Sequence, residues 1–264
     1  MRKTRRLAIT MTLAVVTAGL GAGIARADDE SHGSACTGLP SQAALRTALK
    51  AAQSVANGGF GLNMWGTIVN RDGVVCAVAF TGTARGDQWP GSRVISAQKA
   101  NTANSFSLAG LVLSTANLYS AVQPGGSLFG LQESNPVSTE VAYGGNPANN
   151  GQANDPMVGG RIGGVNVFGG GLALYNPNHQ LIGAVGVSGD SSCADHNIAW
   201  RTRHSLNLDF VPGGVSGDAS RPDNIVYDIA TLAGHSTGVS AGGWGHPACS
   251  AAATAIAATL PAKQ

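Results

Sequence analysis

The sequence predicts an α+β sandwich built on an antiparallel β-sheet, and three observations predict it. Two β-branched runs, Gly66 to Asn70 and Val74 to Phe80, flank Arg71-Asp72-Gly73, the pattern of a β-hairpin. A second group of short apolar runs follows at Gly164 to Phe168, Gly171 to Tyr175 and Leu181 to Val187, with Asn176-Pro-Asn-His179 as the turn between the last two. Helical segments lie before, between and after these groups, and no linker divides two cores. Hairpins interleaved with helices give an antiparallel sheet.

Ser41 to Asn57 reads as the first helix. Ser41 caps it, Ala44, Leu45, Ala48 and Ala52 recur at helical spacing, and Asn57-Gly58-Gly59 stops it. Ser92 to Leu108 reads as a second, with Ala97, Ala100, Ala103 and Phe106 forming a narrow face of mostly small residues. Leu111 to Val122 reads as another short helix. Residues 123–164 lose all periodicity and crowd Gly, Asn and Pro, which predicts a long ordered loop or flap. Its Leu128, Phe129, Leu131, Val141 and Tyr143 argue that it packs onto something. A helix from about Ser192 to Ser205 follows the last strand of the second group. A strand at Asn224 to Ile229, Gly-rich loops and an Ala-rich end complete the chain.

The first residues set the compartment. Arg2, Lys3, Arg5 and Arg6 precede an apolar run from Leu7 to Ile24, then Ala25-Arg26-Ala27 and the acids Asp28, Asp29 and Glu30. This is the pattern of a secretory signal peptide over residues 1–27, and it predicts a secreted or periplasmic product. An uncleaved membrane anchor is the rival reading, and Thr4-Arg5-Arg6-Leu7 partly matches a twin-arginine leader. Of sixteen Lys and Arg, five lie in residues 1–27 with no acid among them, so the remainder sets eleven cations against fourteen acids, net −3. Such a product, with no basic cluster, is unsuited to nucleic acid or an anionic membrane. Cys36, Cys76, Cys193 and Cys249 suggest two disulfides in an oxidising compartment. Three pairings are open; Cys36–Cys76 with Cys193–Cys249 is favoured because each stays within one half of the chain.

The stretch from Gly164 to Asp195 carries a resemblance. Gly-Gly-Val-Asn-Val-Phe, then Leu-Ile-Gly-Ala-Val-Gly-Val-Ser-Gly-Asp, Cys193 and Asp195 resemble the signature of the HbpS-like, or GlcG-like, family. The hairpin at Ile68 to Val75 and the run Ser96-Ala-Gln-Lys99-Ala-Asn-Thr102-Ala agree with it, and the likeness extends over roughly Ser41 to His204. It implies a sheet with helices packed on one side, a single HbpS-like domain over 28–264 with a loop insertion at about 123–164, and assembly into homo-oligomers. It also implies non-covalent haem binding, with haem degradation or haem and iron sensing in some members. The loop at 123–164 and the tail beyond residue 205 depart from shorter members.

With no Cys-x-x-Cys-His, covalent haem attachment is excluded, so haem needs an axial side chain and an apolar slot. His196 is the favoured iron ligand. Trp200 and Arg203 follow at i+4 and i+7 on the same helix face, an indole for the ring and a guanidinium for a propionate. A half-buried histidine on an ordinary helix face is the plainer reading. Ser188-Gly189-Asp190 closes a strand and opens a helix, so its N–H groups suit an anion, or simply a cap. Lys99 joins the pocket through the resemblance alone, and His204 is read as a surface group near a helix end. Cys193-x-x-His196 and His246-x-x-Cys249 have zinc-like spacing, but export favours a disulfide. Gly234-His-Ser236-Thr-Gly238 and Gly238-Val-Ser240-Ala-Gly242 look like nucleophile elbows, yet no acid follows Asp228, so they read as loops. The expected function is an exported haem-binding protein. The alternatives are an enzyme acting on a small carboxylated metabolite with Lys99, Asp190 and Asp195 as acid–base groups, and a non-catalytic oligomeric interaction protein.

Overall fold

The structure, a computed structural model, describes residues 35–264. The leader at 1–27 and His32 lie outside the described residues. Four antiparallel strands form the sheet: β1 (Trp65–Asn70), β2 (Val75–Phe80), β3 (Gly171–Tyr175) and β4 (Leu181–Ser188), in the order β2-β1-β4-β3. Helix α1 (Gln42–Gln53) precedes the hairpin, α2 (Ser92–Ser105) follows it, and α4 (Ser192–Ser205) leaves the end of β4. Two smaller α-helices lie among the described residues, α3 (Thr139–Tyr143) in the long loop and α5 (Ala251–Ala257) in the tail. A separate two-stranded ribbon joins β5 (Ile229–Leu232) to β6 (His235–Ser240). No helix among the described residues is long and apolar enough to cross a membrane.

The antiparallel α+β sheet is as the sequence predicts, but the helices cover both faces rather than one. Period-two alternation explains this. Ile68, Val185, Val187, Leu172 and Leu174 pack with Leu45 and Leu49 of α1 and with Ile198, Ala199 and Trp200 of α4. Val69, Val75, Val78, Phe80 and Ala184 face Val94, Ala97, Ala100 and Ala103 of α2. Each fully buried Leu, Ile or Val in these layers is worth roughly 1.5–3 kcal/mol. The alanine face of α2 lets its backbone lie directly on β4. A Cβ at Gly186 would overlap Ser96 O and Ala100 N.

Residues 123–164 do pack, but of the five apolar residues expected to do so only Leu128, Leu131 and Val141 turn inward, while Phe129 and Tyr143 stay exposed. Ala142, Met157 and Ile162 join the α2 side of the core. Buried Asp155 fixes the loop by accepting from Arg93 Nε (2.9 Å), Gly151 N (2.7 Å) and Met157 N (2.9 Å). Three sequence expectations are corrected. Leu111 to Val122 forms two single 3-10 turns, Thr115–Leu118 and Ser120–Val122, because Asn117 Oδ1 accepts from both the amide and the hydroxyl of Ser114. Gly164 to Phe168 is no strand, since Thr102 Oγ1 takes the Asn166 N–H and Asn101 Nδ2 donates to Gly164 O. In the tail the ribbon begins at Ile229, where the expected strand ends. Both favoured disulfides are present, Cys36–Cys76 and Cys193–Cys249, closing separations of 40 and 56 residues. Chain-entropy arithmetic gives each roughly 4 kcal/mol.

Candidate functional site

The corner from β4 into α4 is built around Asp195. Ser191 caps the helix, its Oγ accepting from Ala194 N. Asp190 N donates to Asp195 Oδ1 at 2.8 Å, so the chain's own carboxylate takes the corner N–H that the sequence reading offered to an external anion. Lys99 reaches across from α2 and donates to Asp195 Oδ2 at 2.7 Å and Val187 O at 3.1 Å. Lys99 and Asp195 are each 2% exposed. Burial pushes the Asp195 carboxyl up to about 6, against the pull of the Lys99 ammonium. Residues 169–170 pass over this pair, and at Gly170 (φ +117°) an added Cβ would press on Val187 O, Asp195 Cβ and Lys99 Nζ.

Asp190 is also spent on backbone. Its carboxylate accepts from Phe60 N (2.9 and 2.8 Å), Leu62 N (3.3 Å) and Ser191 N (2.6 Å). It edges a cavity of about 290 Å³ with Gly59, Leu62, Ile198 and Ile256, but Lys99 and Asp195 do not line it. The acid–base trio therefore comes together as a clamp on the corner, and only Asp190 is open to a substrate. Ser188 and Gly189 are buried.

His196, Trp200 and Arg203 do share one face of α4. The His196 and Trp200 rings lie 6.0 Å apart, and the Arg203 guanidinium carbon sits 4.7 Å from the Trp200 ring centre. That face looks into the protein, beneath the tail. Arg203 is fully buried and makes a bidentate pair with Asp223 through its two terminal nitrogens (2.6 and 2.9 Å); its Nε–H has no partner but is itself buried, so no propionate reaches it. Trp200 Nε1 donates to Pro261 O at 2.9 Å. His196 is 0% exposed, its Nε2 3.2 Å from Asn224 Oδ1. Asn224 Nδ2 donates to Ala257 O, which fixes the amide with Oδ1 toward the imidazole, so His196 Nε2 carries the proton. Nδ1 keeps an unpartnered lone pair, and burial pushes the ring down to about 4, so it is neutral. A neutral imidazole with a free lone pair suits iron, but space is missing. Cavities of 250–510 Å³ open at five places on the protein, and none of them is lined by His196, Trp200 or Arg203. The α4 face does not fit a haem, and the axial role expected of His196, with Trp200 and Arg203 beside it, is corrected: these are core residues held by the tail.

Three other histidines lie elsewhere. His204 pairs with Asp209 at 2.6 Å, near the helix end as expected. His179 is in the β3–β4 turn, with Nδ1 3.0 Å from Phe210 O. His246 is 2% exposed and packs beside the second disulfide, while His196 turns away from it, so the four-ligand zinc pattern does not assemble.

Sequence reasoning missed the aromatic rim of the corner. Phe60, whose amide is bound by Asp190, is 76% exposed. Trp89 is 54% exposed and follows Gln88, whose Nε2 donates to Gly189 O at 2.6 Å. Arg85 is exposed on the same segment. Two large aromatics held out of the core are a signal only once exposure is known. Asp223 and Asn224 were also missed, since nothing local marks them as partners of α4.

Residues 39–203 match the family described as haem degrading protein HbpS-like. A solved PduOC:heme complex is 22% identical, covering 64% of this chain and 94% of its own, with a TM-score of 0.45. Protein ORFY of Klebsiella pneumoniae, from the DUF336 family, is 26% identical, covering 63% and 90%, with a TM-score of 0.42. No curated protein matches this chain.

Proposed function

We propose, from the premise that this chain belongs to the HbpS-like family of haem-degrading proteins, that it is an exported protein that binds haem non-covalently. The family match over 39–203 carries the reading, because it spans the whole sheet, α2 and nearly all of α4. Export is supported by the basic and apolar leader ending in Ala25-Arg26-Ala27 and by two disulfides.

The contact surface we assign is the rim of the β4–α4 corner, not the buried face of α4. Phe60 and Trp89 offer flat apolar surface to a macrocycle, and the exposed Arg85 offers a cation to a propionate. Exposed aromatics fixed at a corner by short hydrogen bonds mark a docking surface more than a packing accident. The metabolite-enzyme reading has less support, since Lys99 and Asp195 neutralise each other under residues 169–170.

The test is a haemin titration of the mature, oxidised chain. A shifted, saturable Soret band accompanied by quenching of Trp89 fluorescence is expected. An unchanged haemin spectrum at micromolar protein would end the haem reading.

A further inference from the structure

Beside the corner lies a second cluster that the haem reading does not use. Among the described residues, Cys193, His246 and Cys249 are the one group of three metal-ligating side chains that converge, their ligand atoms all within 4.8 Å of one another. We propose that, once the Cys193–Cys249 disulfide is reduced, these three residues form a zinc site, with a fourth position left to water or to the Ser192 hydroxyl.

Three features point to a built site. The first is the imidazole. His246 Nδ1 lies 2.8 Å from Pro247 O, which only accepts, so Nδ1 carries the proton and Nε2 presents its lone pair to the cluster. Fixing a ligand's tautomer through its other nitrogen is how protein metal sites orient histidine. The second is the set of amides. Cys193 N donates to Cys249 Sγ and Cys249 N to Cys193 Sγ, each at 3.2 Å, and these N–H groups remain to hold thiolates after reduction. Cys193 also sits in the first turn of α4, where the helix dipole favours a thiolate. The third is the hydroxyl. Ser192 Oγ lies 3.1 Å from His246 Nε2 and 3.5 Å from Cys249 Sγ, within the same shell.

The steps balance. A dithiol reductant gives two electrons and two protons to the S–S bond and closes to its own disulfide. Exposed Cys249 is the sulfur it reaches, Cys193 and His246 being buried. Zinc then displaces both thiol protons to solvent. Tetrahedral zinc bonds of about 2.3 Å hold the two freed sulfurs about 3.8 Å apart. Cys36–Cys76 has no such partner, because no metal-ligating group of three forms around it among the described residues.

The experiment uses the mature chain carrying Cys36→Ser and Cys76→Ser, reduced anaerobically with a phosphine and titrated with Co²⁺ as a spectroscopic stand-in. One ion per chain is expected, with thiolate charge-transfer and tetrahedral d–d bands that equimolar Zn²⁺ bleaches. The oxidised chain should show none of this. His246→Ala should weaken binding beyond the about 10–100-fold that loss of an outer-shell partner costs. X-ray absorption of the zinc form should count two sulfurs and one imidazole. A reduced chain with two titratable thiols and no charge-transfer band overturns the proposal, as does equal affinity in His246→Ala. If the serine variant does not fold, the reduced wild-type chain is titrated, and His246→Ala makes the same distinction. Metal bound by a loosened tail would ignore that substitution and so counts against the site.

Discussion

Replacing Asp223 with Asn tests whether Arg203 is a core residue or a ligand-binding one. Both side chains of this pair are fully buried, and the guanidinium has one further hydrogen bond, to Ala173 O at 3.2 Å. The neutral amide would leave a desolvated cation with one uncharged acceptor where it had a bidentate carboxylate. Breaking a buried pair from one side costs about 3–5 kcal/mol. For a chain of this size each kcal/mol lowers Tm by about 2–4 °C, so a loss of about 6–20 °C is expected. The assay is thermal unfolding of the oxidised mature chain, followed by circular dichroism at neutral pH. Replacing both residues, Arg203→Met with Asp223→Leu, removes the stranded charge and should recover most of the loss. If Asp223→Asn melts within a degree or two of wild type, Arg203 is not held by the tail, and its assignment to the core is wrong.

Acid should loosen the same region. Burial pushes His196 and His246 down from 6.5 to about 4, so the unfolded chain binds more protons in that window and stability falls as pH drops from 6.5 toward 4. Asp195, raised from 3.8 to about 6, acts oppositely and offsets part of this. Urea midpoints measured across pH 4 to 7 should therefore rise with pH, and His196→Asn should flatten the slope by about one proton. Gly186→Ala should cost about 1–3 kcal/mol, because its Cβ meets α2 backbone that cannot turn aside, and a lowered urea midpoint at unchanged m-value would show it. Opening Cys193–Cys249 alone, as Cys193→Ser with Cys249→Ser, should cost about 2–5 kcal/mol by the same measurement.

What the sequence revealed was what local chemistry dictates. Asp72-Gly73 marked the hairpin, and α4 runs from Ser192 to Ser205 as read. The shared face of His196, Trp200 and Arg203 follows from helical spacing alone. What faces it does not: Asp223 lies 20 residues beyond Arg203, and Asn224 lies 28 beyond His196. A face rich in His, Trp and Arg looks the same in sequence whether a ligand or the chain's own tail covers it. The corner N–H groups raised a similar ambiguity, resolved by Asp195 turning back on Asp190. The tail ribbon escaped notice because His235 to Ser240 has no apolar alternation to mark a strand. Helices on both faces were hidden by β1, buried along its whole length, which shows no polar side in sequence.

The most direct test of the account compares haemin affinities of two variants of the mature chain, each shown to fold by circular dichroism. Phe60→Ser with Trp89→Ser should weaken the Soret titration by at least about tenfold, a change of about 1.4 kcal/mol, while His196→Asn leaves it unchanged. Loss of the Soret shift in a folded His196→Asn protein, with the rim variant binding as wild type, would contradict the account and return the haem to the face of α4.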